Sequence, residues 1–367
     1  MKKKKFNYFI HSVLHIDLIL LFIITLILII SLFVTWSAIG VHNHIFIKHK
    51  LIQICIGFII MLIAVQIPPD IYEKYSFLFY WFSVFLLIAV EFTGYTTKGA
   101  QRWLNIRFIK FQPSEIAKIS VPLVIAHILN KTDYPIKTET FFRIMILILI
   151  PTILVAKQPD LGTAILISLS GAIILFLAGL SWKKIINSII LFIIFFPFAW
   201  IFLFHDYQRE RISMLLKSHY DVLGKGYHIF QSKIAISSGG IFGKGWLNGT
   251  QTQLNFLPEK HTDFIFSVLA EEFGFVGVLV IIILYLLLIG RSIFLSLKCR
   301  FIFNKIMISG ITLLFFLCTF INISMVSGLL PIVGIPLPLI SYGGTSLVVT
   351  MAHFGIIMSM YTHDSKI

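Results

Sequence analysis

An all-α, polytopic membrane protein is the fold class this sequence predicts, and three observations carry the prediction. Hydrophobic residues make up 58% of the 367 positions and charged ones only 13%, with a mean hydropathy of +0.94. Such a chain has too little polar surface to coat a water-soluble globule. Its apolar residues are gathered into runs of bilayer length, about 20 residues per helix. The net charge of +14 comes from Lys and Arg scattered at the ends of those runs, as membrane proteins carry them. No basic face is interleaved with aromatics, which argues against nucleic acid as a partner.

Ten runs fit the bilayer ruler, near 16–38, 51–67, 75–92, 115–130, 141–157, 160–180, 185–204, 263–290, 305–328 and 343–361. The first is preceded by Lys2 to Lys5 with no signal-peptide cleavage pattern, so it reads as a retained span with a cytoplasmic N-terminus. Ten spans return the C-terminus to the same side. Segments then assigned inside hold fifteen Lys and Arg, and those assigned outside hold another fifteen. Seven of the outer ones lie in the single long loop 205–262 between the seventh and eighth helices, where the positive-inside rule is weakest. Short segments alone give fifteen against eight, which favours both ends inside. The whole chain, 1–367, reads as one integral membrane domain. Cys55 and Cys318 fall inside apolar runs and Cys299 beside Lys298 and Arg300, so no disulfide framework or metal-ligand spacing exists.

That orientation gathers the polar motifs on the outer face. Three helices run inward from it, and each begins near an acid: Glu115 in "QPSEIAK", Asp160 in "QPDLGT" and Asp263 in "HTDFIF". Pro and acids both suit a helix start, because of the missing N–H and the positive end of the helix dipole. Any one of the three therefore reads equally as a cap, and "HTD" would place Thr262 or Asp263 in that role. Three ionisable groups at one face of one bundle also make a functional-site hypothesis. Glu115 and Lys118 share a helix face and can pair, either to neutralise each other or to line a polar cavity. Of Glu271 and Glu272, one is expected to face the bundle interior in a structural hydrogen bond.

Basic and aromatic residues collect on the same side. They include Lys98, Arg102 and Trp103 in "TTKGAQRWLN", Arg209 and Arg211 in "HDYQRERI", and Lys225, Lys233, Lys244 and Lys260 beyond them. Singly, each suits a solvated loop over lipid headgroups. As a set beside three acids they suit an anionic substrate approaching a general base. "GGIFGKG" (239–245) lacks the GxxxxGK[ST] spacing of a phosphate loop. His42, His44 and His49 lack an acidic or Cys partner for a metal. Between the last two runs, Pro331, Pro336 and Pro338 with Gly328, Gly334, Gly343 and Gly344 forbid one continuous helix. Such backbone at membrane depth must be buried in protein or line a watery cavity, so 325–346 is expected to form a re-entrant wall beside the acids. Ser341 and Tyr342 would be its polar handles.

The strings "KGAQRW", "FQPSEIAK", "QPDLGT", the long run 226–274 and "NISMVSGLLPIVGIPLPLISYGGTS" closely resemble the SEDS family of peptidoglycan glycosyltransferases, in its cell-elongation rather than its cell-division branch. The likeness extends from the first span to the last. It implies polymerisation of lipid II, a disaccharide-pentapeptide on undecaprenyl diphosphate, at the outer face of the cytoplasmic (inner) membrane. Implied partners are a class B penicillin-binding protein transpeptidase, the cell-shape proteins of the elongation complex, and membrane lipid. By motif, the family's essential loop acid falls on Asp263, its cavity acid and lysine on Glu115 and Lys118, its loop glutamine region on Gln231 and its "QPD" acid on Asp160.

In the mechanism this implies, Asp263 takes the proton from the acceptor sugar's 4-hydroxyl. Arg102 and Lys118 are the first choices to stabilise the departing diphosphate, with Lys98, Lys244 and Ser341 as further contacts. A divalent cation (Mg or Mn) is the one cofactor left open. A lipid-linked precursor flippase and a non-catalytic cell-wall scaffold are the alternatives. The first would need polar residues through the midplane, and the second leaves the three acids without a purpose.

Overall fold

The computed structural model describes residues 14–40, 44–97, 100–106, 109–202, 209, 227–254, 256–257 and 259–364. Lys2 to Lys5, His42, Lys98, Arg211 and Lys225, all singled out above, lie outside the described residues. Among the described residues, ten helices of 17 to 34 residues occupy the ten expected segments. They are α1 (Leu18–Ile39), α2 (His44–Gln66), α4 (Ser76–Thr93), α5 (Pro113–Asn130), α6 (Thr138–Lys157), α7 (Leu161–Leu177), α8 (Trp182–Phe202), α11 (Ile265–Lys298), α12 (Ile302–Val326) and α13 (Gly344–Asp364). Shorter helices are α3 (Pro69–Lys74), α9 (Tyr227–Ser238) and α10 (Thr250–Gln253). Seven of the ten are long and apolar enough to cross a membrane, so the chain is a polytopic membrane protein. α7 is an apolar helix of only 17 residues. α5 carries Glu115, Lys118 and His127 along its length and is buried on nearly every side.

The segment between α4 and α5 departs from the all-α expectation. It forms an antiparallel sheet of β1 (Tyr95–Thr97), β2 (Ala100–Ile106) and β3 (Ile109–Phe111), in that order. Its register sets Tyr95 opposite Trp103 and Leu104 opposite Phe111. β2 sets Arg102, Leu104 and Ile106 on one face and Gln101, Trp103 and Asn105 on the other, as the period of 2 in a strand requires.

α11 is a second departure, because the expected single span 263–290 is two helices. Gly274, at φ 64 and ψ −161, breaks it. Ile265 to Glu272 are all buried in protein, whereas Phe275 onward presents an apolar surface with many exposed side chains. The break is where "GGIFGKG" packs. Lys244 and Gly245 donate their N–H groups to the carbonyls of Glu271 and Glu272 at 3.0 Å each. Phe275 and Val276 donate theirs to Gly240 and Ile241 at 2.9 and 3.1 Å. A Cβ on Gly243 would lie 2.1 Å from the Glu272 carbonyl oxygen. These glycines therefore serve close backbone contact rather than phosphate.

Candidate functional site

The stretch from Ser327 to Gly343 has no regular helix or strand, as its prolines and glycines require. Its orphaned carbonyls must find other donors, and each is met from a different helix. Asn322 Nδ2 on α12 donates to Ile335 O at 2.7 Å, and Tyr285 Oη on α11 to Pro338 O at 2.6 Å. Ser31 Oγ on α1 donates to Ile340 O at 2.9 Å, and Lys50 Nζ on α2 donates to Ile340 O and Ser341 O at 2.9 Å each.

The three acids named from the sequence meet around this segment. Asp263 Oδ2 lies 3.6 Å from where a Cβ on Gly334 would sit. Asp160 precedes α7, whose Gly162 packs so tightly that a Cβ would come within 2.7 Å of the Val333 carbonyl oxygen. Glu115 and Lys118 line a cavity of about 30 Å³ closed by Ile335, Pro336 and Pro338 on one side and His353 on another. That is room for one or two waters.

Glu115 sits in the first turn of α5, where Pro113 begins the helix. Its two carboxylate oxygens each stand 2.7 Å from Lys118 Nζ, and both residues are buried. Burial of such a pair costs heavily unless both partners are present, so the i, i+3 pair is a matched unit inside the cavity wall. His353 Nε2, on α13, is buried without a hydrogen-bond partner at the same cavity.

Asp160 is the N-cap of α7, accepting from Thr163 N at 3.3 Å. It also accepts from Gln112 Nε2 at 3.2 Å and faces Arg102 Nη1 at 3.8 Å. Arg102, on β2, spends its other donors on the Pro159 carbonyl and, at 3.4 Å, on the Gln158 carbonyl. In this structure it latches the sheet to the start of α7.

Asp263 is not the cap of α11. Phe264 holds that position with no side-chain cap bond, and Thr262 Oγ1 turns back to Glu259. Instead the backbone around Asp263 is pinned from outside. Asn322 Nδ2 donates to Asp263 O at 3.0 Å, Ser341 Oγ to Thr262 O at 2.7 Å, and Tyr342 N to His261 O at 2.9 Å. Ser341 Oγ also accepts from Leu337 N at 2.8 Å. Its hydroxyl is committed, so it positions backbone rather than offering a handle.

Lys244 is likewise engaged, with Nζ 2.9 Å from Glu271 Oε1 and 2.7 Å from Thr250 Oγ1. Glu271 accepts further bonds from Gln251 N, Thr252 N and Thr252 Oγ1 at 2.9, 3.2 and 2.9 Å. These bonds around the buried Glu271 tie the loop to α11. Glu272 is buried as well, accepting from Ser37 Oγ, so both acids face inward rather than one. Beside them, burial lowers the Lys260 ammonium while the Glu272 charge raises it, and its Nζ donates to Thr252 O at 2.7 Å.

Gln231 lies on α9 with its Oε1 buried and unpartnered. One turn earlier, His228 stacks on Phe264 at 6.3 Å, its Nδ1 also buried and unpartnered. Sequence reasoning missed His228, Asn322 and Lys50. The available signal for Asn322 was a lone amide in an apolar run, and for Lys50 a cation at a span's edge. Among the described residues no three His, Cys, Asp or Glu side chains cluster to hold a metal ion. Glu115 and Asp160 are each turned to a cation or amide of the protein, so the donor set does not fit a protein-held divalent ion.

A family model described as cell cycle protein, covering FtsW, RodA and SpoVE, matches residues 11–366. Over 349 residues, 95% of this chain and 94% of the relative, the chain is 51% identical to the peptidoglycan glycosyltransferase MrdB of Escherichia coli strain K12. A chain of a solved peptidoglycan synthase complex, described as coordinating polymerization and crosslinking, superposes with a TM-score of 0.84. It is 27% identical, with 96% of this chain and 99% of that one covered. The crystal structure of the rod shape determining protein RodA of Thermus thermophilus gives a TM-score of 0.72 at 25% identity, covering 95% and 97%.

Proposed function

Because the chain belongs to the FtsW, RodA and SpoVE family of cell cycle proteins and is a peptidoglycan glycosyltransferase, we propose that it polymerises lipid II at the outer face of the cytoplasmic membrane during cell elongation. The reading takes ten spans with both termini in the cytoplasm, which the Lys and Arg balance of the short segments supports and which turns these acids outward. The observation that carries the reading is the approach of Asp263, Glu115 and the helix that Asp160 caps to the irregular stretch 333–338. A carboxylate beside irregular backbone packed in protein is where a proton can be taken under partial exclusion of water.

In the proposed reaction the acceptor sugar's 4-hydroxyl loses its proton to the Asp263 carboxylate and its oxygen attacks the donor's anomeric carbon. The bond from that carbon to the lipid diphosphate breaks, carrying its electron pair with the leaving group. Attack from the opposite face turns an α-linked donor into a β-1,4 linkage. Lys118, held by Glu115, is the cation this reading keeps for the developing diphosphate charge. Arg102 and Asp160 hold the wall instead. A divalent cation (Mg or Mn), where one is bound, would supply positive charge to the departing diphosphate.

Partners in this reading are a class B penicillin-binding protein and the elongation-complex proteins. The solved relative that coordinates polymerization and crosslinking supports the first of these. The test is glycan polymer formed on a gel by the purified protein and its transpeptidase from lipid II. Asp263→Asn keeps the size of the side chain and removes the base, and a loss of about 10²- to 10⁴-fold is expected. Polymerisation by that variant at the wild-type rate overturns the base assignment.

A further inference from the structure

Lys50 is fully buried near the start of α2, in the second turn, and no carboxylate pairs with it among the described residues. A buried ammonium without a counter-ion is costly. Its two printed bonds, both 2.9 Å, go to the carbonyls of Ile340 and Ser341. Those carbonyls end the short turn from Leu337 to Ser341, which closes with Ser341 N on Leu337 O at 2.9 Å and forces Leu339 to φ 64. A strained turn of this kind persists only where its surroundings over-determine it.

From that turn two bonds lead straight to the stretch carrying the acid. Ser341 Oγ donates to Thr262 O at 2.7 Å, and Tyr342 N donates to His261 O at 2.9 Å. The Tyr342 ring lies 6.0 Å from the His261 ring and 5.8 Å from Phe46, which like Lys50 belongs to α2. On the same helix Gln53 packs 3.0 Å from where a Cβ on Gly344 would sit. α2 therefore grips residues 340–344, and these residues grip 261–262, the two positions before Asp263.

We infer that Lys50 is a positioning residue for sugar transfer: by holding the carbonyls of Ile340 and Ser341 it sets the turn that fixes the height of Asp263. The inference rests on the reading of Asp263 as the base. An ammonium suits the task because it makes both carbonyl bonds from one atom, with charge-assisted strength that a neutral donor lacks.

The experiment uses the full chain with its transpeptidase partner and lipid II, reading kcat and KM separately. Lys50→Met should lower kcat by about tenfold to a hundredfold with KM little changed, as expected for a displaced catalytic group. Lys50→Gln, which keeps one donor, should recover part of that loss. Ser341→Ala should also lower kcat, and the double variant Lys50→Met/Ser341→Ala should be no slower than Lys50→Met, because both act through one chain of bonds. If Lys50→Met does not yield a monodisperse protein, Lys50→Gln carries the same pairing with Ser341→Ala. A wild-type rate, a raised KM with unchanged kcat, or losses that multiply in the double variant would each overturn the inference. An Asp263→Asn control separates the two readings. Full activity there sinks the base assignment itself, whereas an inactive control beside an unaffected Lys50→Met sinks only the role of Lys50.

Discussion

At Asp263 the sequence offered two readings, cap or chemical group, and the geometry removes the first. Phe264 holds the cap position instead, and three external donors fix the backbone carbonyls of Asp263 and the two residues before it. The freedom of neighbouring Gly334 matters here, because its φ of 75 lies in the left-handed region that disfavours a side chain. Glu115 and Lys118 make a second residue-scale case. Removing one partner of this buried pair strands the other, so Glu115→Gln or Lys118→Met should each destabilise by about 3–5 kcal/mol. The double replacement should lose less than the sum, and thermal unfolding in detergent checks it. Lys244 and Arg102 show the limit of reasoning from residue type. A loop cation looks the same in the sequence whether it faces a diphosphate or a buried Glu271.

Among the elements, α11 carries the clearest lesson. Its apolar run looked like one span because hydropathy does not register a backbone break, and Gly274 is one small residue in that run. With φ 64 and ψ −161, it occupies a region open essentially to glycine alone. A Cβ there would also meet Gly243 N at 2.3 Å. Gly274→Ala should therefore destabilise the protein by about 1–3 kcal/mol from the backbone alone and more from the clash. The loosening should appear as faster proteolysis within 239–253. α9 is the other element with a testable character. Burial holds the His228 imidazole below its ordinary value, against a smaller pull from Glu259. A depressed folded value means its contribution to docking is intact above about pH 6.5 and is lost as pH falls from there through the folded value. Hydrogen exchange in α9, corrected for intrinsic rates, should be faster at pH 5.5 than at 7.5, and His228→Gln should abolish the difference.

For the whole molecule, the topology makes a direct prediction. With both termini in the cytoplasm as proposed, an impermeant thiol reagent should in intact cells label Phe242→Cys, at an exposed loop position, and reach Tyr134→Cys only after the membrane is opened. The reverse pattern would invert the orientation and move the acids to the cytoplasm. The segments of the ten helices were legible from the chain, since length and hydrophobicity are local properties and each helix satisfies its own backbone. The sheet between α4 and α5 was not legible, because Arg102 and Trp103 break any clean polar–apolar alternation along β2. What stayed hidden was how the polar groups are spent. Lys50 meets Ile340 across 290 positions, and Asn322 meets Asp263 across 59. Local pattern was enough to fix a polytopic membrane protein, its helical segments, its family and three acids worth testing. Which cations are tied down, where α11 breaks and how one irregular segment gathers the acids came from packing alone. Hydrogen bonds and burial depend on partners far along the chain, and no local pattern records them.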